Sequence, residues 1–143
     1  METLYTAIAT VEGGRNGRIT SSDGVLNLDL RMPKSLGGNG EEGTNPEQLF
    51  AAGYSACFDS ALNLVARSQK VQHAGTDVTA HVGIGKDAEG GFELAVQLHV
   101  NIDGVDQHTA EELVKAAKGV CPYSKATRGN IETKLVVNGQ HVG

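Results

Sequence analysis

Between Leu49 and Ala66 nearly every side chain is apolar or small. Leu49, Gly53, Ala56 or Cys57, Ser60 or Ala61, Leu64 and Val65 recur on one face at helical spacing. The run opens on Thr44-Asn45-Pro46-Glu47. There Thr44 or Asn45 can cap the first free amides, Pro46 suits the first turn, and Thr44 with Glu47 fits a capping box. A central helix reaching about Lys70, buried on more than one side, is expected.

Strand patterns flank this helix. Leu4 to Val11 alternates roughly, and Arg18–Ser22 with Val25–Leu30 reads as a hairpin about Asp23-Gly24, with Leu26, Leu28 and Leu30 on one face. Arg31 to Gly43 follows as a long loop of the kind that serves as a lid or binding segment. Leu94, Val96, Leu98 and Val100 alternate with Ala95, Gln97, His99 and Asn101. Phe92 to Asp103 is therefore a half-buried strand, in a hairpin with Thr76 to Lys86. Thr109 and Glu112 form a capping box opening a helix to about Lys118 that Gly119 closes, and Pro122 restarts a short one. Ile131 to Val137 is the last strand, turning at Asn138-Gly139. The order implies an α+β fold, a mainly antiparallel sheet wrapped on a helix, in a single domain of residues 1–143.

Composition narrows the function. A net charge of -5 and the lack of any Lys/Arg-rich run argue against a nucleic-acid partner, and 4% aromatic residues without Trp leave few stacking surfaces. The start Met1-Glu2-Thr3-Leu4-Tyr5 lacks the layout of a leader, and no apolar run nears a membrane span, so a cytoplasmic protein without a membrane partner is expected. His73, His81, His99, His108 and His141 show no paired ligand spacing and read as scattered surface residues. Gly83-Ile84-Gly85-Lys86 lacks the form of a phosphate loop. No metal and no cofactor are expected.

The two cysteines carry the remaining chemistry. Cys57, walled by Ala, Gly and Ser, is either a small buried core residue or a reactive thiol. Cys121 stands just before a proline-started helix, where amide dipoles favour a thiolate or a departing sulfur. Cys57 sits mid-helix without that help, so its anion would need a cation from elsewhere. Arg15 in Gly13-Gly14-Arg15-Asn16-Gly17 is the candidate by context, its plain alternative being a solvated surface arginine. Glu47 is either a capping carboxylate or the partner of an arginine fork. Positions 47 and 57 lie about 15 Å apart along a straight helix. If both serve one site, Glu47 comes from a second subunit, with two central helices packed roughly antiparallel on the small face Ala52, Gly53, Ala56 and Ser60.

Asn45-Pro46-Glu47-Gln48-Leu49-Phe50-Ala51-Ala52-Gly53-Tyr54-Ser55-Ala56-Cys57-Phe58 closely resembles the signature of the OsmC/Ohr family. Val120-Cys121-Pro122-Tyr123-Ser124 and the glycine-arginine loop match it too, and the resemblance is greatest to the organic hydroperoxide resistance branch. It implies antiparallel sheets wrapped around long central helices in an intertwined homodimer. It implies a thiol-dependent peroxidase for organic hydroperoxides, with Cys57 peroxidatic, Cys121 resolving, and Arg15 and Glu47 activating the thiolate. The implied reductant is dihydrolipoamide or a lipoylated protein. Phe50, Phe58, Met32 and Leu36 are the expected apolar walls for an alkyl or fatty-acyl chain. Rival readings are a general thiol-disulfide oxidoreductase, disfavoured by the absence of Cys-x-x-Cys, a redox-regulated protein that binds a lipid-like ligand, and a peroxidase of the osmotically induced branch.

Overall fold

A computed structural model describes residues 1–142, in two compact units, Met1–Leu49 and Phe50–Gly143. In the first unit β1 (Ala9–Glu12), β2 (Arg18–Ser21) and β3 (Asn27–Asp29) form an antiparallel sheet in that order. The hairpin turns where expected: the Asp23 carboxylate accepts from the Ser21 hydroxyl and the Val25 N–H, and Gly24 takes φ +76°, open to glycine without strain. Its arms are shorter than the sequence predicts. The strand expected from Leu4 begins only at Ala9, because the ladder to β2 ends at Ala9↔Ser21 and β2 itself stops there. Leu30 is buried, whereas Leu26 and Leu28 of the same expected face are exposed.

Helix α1 spans Pro46–Ser68. Asn45 is its cap, the Asn45 carbonyl oxygen Oδ1 accepting the Gln48 N–H at 2.8 Å, and the Thr44 hydroxyl donates to the Gln48 side chain at 2.9 Å. The expected Thr44–Glu47 box does not form; Asn45 and Gln48 take its place, one position later.

In the second unit β4 (Gly75–Lys86) and β5 (Phe92–Asp103) pair antiparallel from Gly75↔Asp103 to Lys86↔Phe92, as the alternation predicts. The chain then crosses over through α2 (Gln107–Val120) and α3 (Pro122–Thr127) to β6 (Thr133–Val137), which lies parallel to β5. Asn138 and Gly139, at φ +48° and +83°, make a tight turn into β7 (Gln140–Val142), a strand too short for its pattern to announce. The sheet order is β4-β5-β6-β7. The expected boundaries of α2 move at both ends. Asp106, not Thr109, is the cap, accepting the Thr109 N–H at 2.7 Å. Gly119 stays helical because the Cys121 N–H still reaches the Ala117 carbonyl, and Pro122 is what ends the ladder.

The four sides of α1 do four different things. Tyr54, Phe58, Ala61, Leu62, Val65 and Ala66 enter the core with Leu98, Val100, Leu113 and Val137. That face is turned by about one position from the expected one, and Leu64 is exposed rather than buried. Ser55, Asp59 and Asn63, one turn apart, address β4 at the sheet's edge. The Ser55 hydroxyl accepts the Ala80 N–H at 3.1 Å, and the Thr76 hydroxyl donates to Asp59 at 2.6 Å and accepts from Asn63 at 2.9 Å. Ala52, Ala56 and Ser60 are exposed, and Gly53 with Cys57 faces α3. Contrary to the sequence expectation, α1 is long and apolar enough to pass as a membrane span by length and composition, with mean hydropathy 1.2 over its best window. Its core face accounts for part of that composition, a third of the window being buried.

The histidines are not all scattered. The rings of His81 and His99 lie 4.3 Å apart across β4 and β5. Partial burial, then the nearby His81 and His141, hold the His99 imidazole below its ordinary pKa. Among the described residues no three His, Cys, Asp or Glu side chains group as metal ligands.

Candidate active site

Glycines place Arg15. The turn Gly14–Asn16 follows Gly13 at φ +82°. A Cβ at Gly17 would fall 1.6 Å from the Glu12 carbonyl oxygen, so no larger residue fits where the chain doubles back. The turn is stapled from outside. The Asn16 side chain accepts the Met32 N–H at 3.1 Å, and the Arg31 guanidinium donates to the carbonyls of Leu30, Gly17 and Asn16 at 2.6, 3.3 and 3.4 Å. Arg31 is marked by no sequence pattern, and Asn16 only as a member of the glycine-arginine loop, since both act through backbone carbonyls and amides.

On this turn the Arg15 fork meets the Glu47 carboxylate bidentately, Nη1 to Oε2 at 2.9 Å and Nη2 to Oε1 at 2.6 Å. Glu47 is thus an arginine partner rather than a capping carboxylate. With side chains only 29% and 13% exposed, the pair is shielded enough to be more than a solvated surface contact. The Arg15 hydrogen bond holds the Glu47 carboxyl below the usual carboxylate range against a smaller opposing effect of burial, and Glu47 in turn raises Arg15.

The second cluster lies wholly in the second unit. Cys57, half-buried on α1, and Cys121, fully buried where α2 hands over to α3, bring their sulfurs to 3.5 Å although 64 positions separate them. Both thiols are free. Burial pushes the Cys57 thiol up, the Tyr123 backbone N–H pulls it down, and the Cys121 sulfur raises it again. Here the sequence expectation is corrected. The opening turn of α3 aims an amide at Cys57, which was expected to receive no such help. That single donor does not outweigh burial, so ionising Cys57 still calls for a cation.

Aromatic rings seat α3. The Tyr123 ring lies 5.7 Å from that of Tyr54 and 6.2 Å from that of Phe50. It occupies the space beside Gly53, where a Cβ would come 2.7 Å from the Tyr123 hydroxyl oxygen. Within the chain, Gly53 therefore makes room for Tyr123. Phe58, expected to wall a substrate chain, is wholly buried in the core and unavailable for that; Phe50 remains half-buried against the Tyr54 and Tyr123 rings.

A family model described as OsmC-like protein matches residues 37–136. The organic hydroperoxide resistance protein OhrA of Bacillus subtilis is 54% identical, over 94% of this chain and 96% of that one. The chain belongs to the OsmC/Ohr family. Its likeness to the organic hydroperoxide resistance branch extends to solved structures. The crystal structure of an organic hydroperoxide resistance protein from Elizabethkingia anophelis shares 59% identity and a TM-score of 0.91, covering 96% of this chain and 98% of that chain. OhrB of Bacillus subtilis shares 49% identity and a TM-score of 0.87, over 95% and 100%. As in those OsmC/Ohr structures, the fold is α+β. The OsmC-like match begins after Arg15, so that residue rests on its own geometry and on the longer full-chain likenesses.

Proposed function

We propose that the protein is a thiol-dependent peroxidase that reduces organic hydroperoxides, alkyl or fatty-acyl, to alcohols. The observation that carries this reading is the approach of two free sulfurs to 3.5 Å in a family whose relatives bear the name organic hydroperoxide resistance protein. The Cys57 thiolate attacks the distal peroxide oxygen. The O–O bond breaks, the alcohol leaves with a proton, and the sulfur becomes a sulfenic acid, the first reversible rung of thiol oxidation. Cys121 condenses with it to a disulfide and releases water. A lipoyl dithiol, free or carried on a protein, then reopens the disulfide by exchange. The setting would be the cytoplasm, where thiols are kept reduced.

The cation that Cys57 lacks would be Arg15, oriented by Glu47 and also placed to stabilise charge on the peroxide oxygens. Since positions 47 and 57 are about 15 Å apart along α1, a second copy would supply the pair, in a homodimer. Two observations support that assembly. Leu4, Tyr5, Ile8, Val25 and Leu28 stand exposed in the first unit, an apolar excess uncommon on a monomer, and the small stripe Ala52, Ala56 and Ser60 of α1 is uncovered. Residues 1–143 would then work as one functional domain.

Consumption of cumene hydroperoxide with dihydrolipoamide tests the reading, with glutathione and thioredoxin as rival donors. Many turnovers per protein with the lipoyl donor are expected, and peroxide loss that stops at one equivalent would overturn catalysis. Cys121→Ser is expected to consume one equivalent of peroxide and to form no internal disulfide. Normal cycling of that variant with the dithiol would remove Cys121 from the resolving role.

A further inference from the structure

The step from sulfenic acid to disulfide depends on how α3 is held against α1, because Cys121 is the residue from which α3 springs and Cys57 lies in the middle of α1. A disulfide bond is about 2.05 Å long. From 3.5 Å the sulfurs must close by roughly 1.5 Å, a distance over which small changes of orientation weigh heavily on rate.

One polar contact joins the two helices next to this pair. The Tyr54 hydroxyl and the Ser124 hydroxyl lie 2.7 Å apart, and both side chains are buried, 0% and 2% exposed. Tyr54 precedes Cys57 by three residues on α1, and Ser124 follows Cys121 by three on α3. Each of the two residues therefore stands about one turn along the chain from a cysteine, Tyr54 within α1 and Ser124 from the cap of α3. The neighbouring Thr127 hydroxyl is spent on the Tyr123 and Ser124 carbonyls, and a packed apolar pair could fill the same space without fixing a separation. A buried hydroxyl pair fixes one, because either oxygen left alone would go unsatisfied. The Tyr123 ring, seated beside Gly53 and against Tyr54 and Phe50, keeps α3 from turning about that bond.

We propose that Tyr54 and Ser124 are positioning residues for resolution, their hydrogen bond holding Cys121 within attacking distance of the Cys57 sulfenic acid. This rests on the peroxidase reading above and assigns those side chains no contact with peroxide. In the step they govern, the Cys121 sulfur attacks the Cys57 sulfur, the S–S bond forms and the S–O bond breaks. The leaving hydroxide takes the Cys121 proton and departs as water, so no further oxidant or reductant enters. Slower resolution leaves the sulfenic acid exposed to a second peroxide, which carries it to the sulfinic acid.

The test compares reduced full-length protein with Tyr54→Phe, Ser124→Ala and the double variant. Each is mixed with cumene hydroperoxide, following peroxide loss, disulfide formation and sulfinic acid by intact mass, with dimedone to trap sulfenic acid. Expected for each single variant is first-equivalent peroxide loss within about twofold of wild type. Disulfide formation should slow by about tenfold or more, with more sulfinic acid at excess peroxide. The double variant should be no slower than the worse single one, since both changes remove the same bond. Disulfide formation at the wild-type rate in both single variants would overturn the proposal, as would a slowing of both steps to the same degree. Wild-type protein that forms no Cys57–Cys121 disulfide would instead bring down the peroxidase reading itself.

Discussion

Cys57→Ser is expected to abolish peroxide turnover with every donor. A serine hydroxyl is a poor nucleophile toward peroxide oxygen and has no sulfur to carry the sulfenic acid or the disulfide. The change is small for a half-buried position, so the fold should survive it, and circular dichroism provides the control. Multiple-turnover assays with cumene hydroperoxide and dihydrolipoamide read the result. A folded variant keeping a substantial share of wild-type activity would remove Cys57 from the mechanism.

The second large effect belongs to the guanidinium. Burial raises the Cys57 thiol, and the one amide aimed at it, from Tyr123, does not make up the difference. Arg15→Ala is therefore expected to lower the rate of Cys57 oxidation by about 10²–10³-fold, the scale on which loss of one preorganised donor acts. Arg15→Lys should recover only part of this, because an ammonium cannot hold the two-point contact that Arg15 makes with Glu47. The pH dependence follows from Glu47, whose folded carboxyl lies below its ordinary value chiefly through Arg15. A depressed carboxyl contributes fully above its unfolded pKa and loses that contribution as pH falls through the folded one. The ion pair should thus be intact at neutrality and fail only on acidification. Stopped-flow oxidation across pH, with iodoacetamide alkylation of Cys57 in parallel, measures both effects. An Arg15→Ala profile that overlays wild type would show that the thiolate owes nothing to this residue.

What the chain discloses in advance depends on how local the cause is. Strict alternation in Leu94, Val96, Leu98 and Val100 is set by one face of one strand, and β5 appears where that pattern lies. The turn residues Asp23-Gly24 and the helix-opening Pro122 likewise act on their own neighbours. On α1 the buried face lies about one position from the expected one, because Ala, Gly and Ser suit any surrounding and leave it undefined. Tyr54 and Phe58 define it only once β5 and α2 are in place. At both helix starts two acceptors compete for adjacent amides: Asn45, one of the two expected caps, prevails over Thr44, and Asp106 displaces Thr109. The candidate residues were legible as types, and their pairing Arg15 with Glu47 and Cys57 with Cys121 was suggested by family likeness. No local rule points to the Tyr123 amide at Cys57 or to the Tyr54–Ser124 bond, which exist only after α3 packs on α1.

The polar row Ser55, Asp59 and Asn63 reaches past its role in anchoring a helix. β4 is the outermost strand on its side of the sheet, and an outermost strand is a template on which a foreign chain can polymerise. With the Ala80 amide already taken by Ser55 at 3.1 Å and Thr76 tied to Asp59, an incoming segment finds the middle of that rim occupied by a helix of the protein's own. A stress-response candidate that meets oxidants while its neighbours are being damaged would gain from that shielding, since fibril growth by strand addition is denied its starting register.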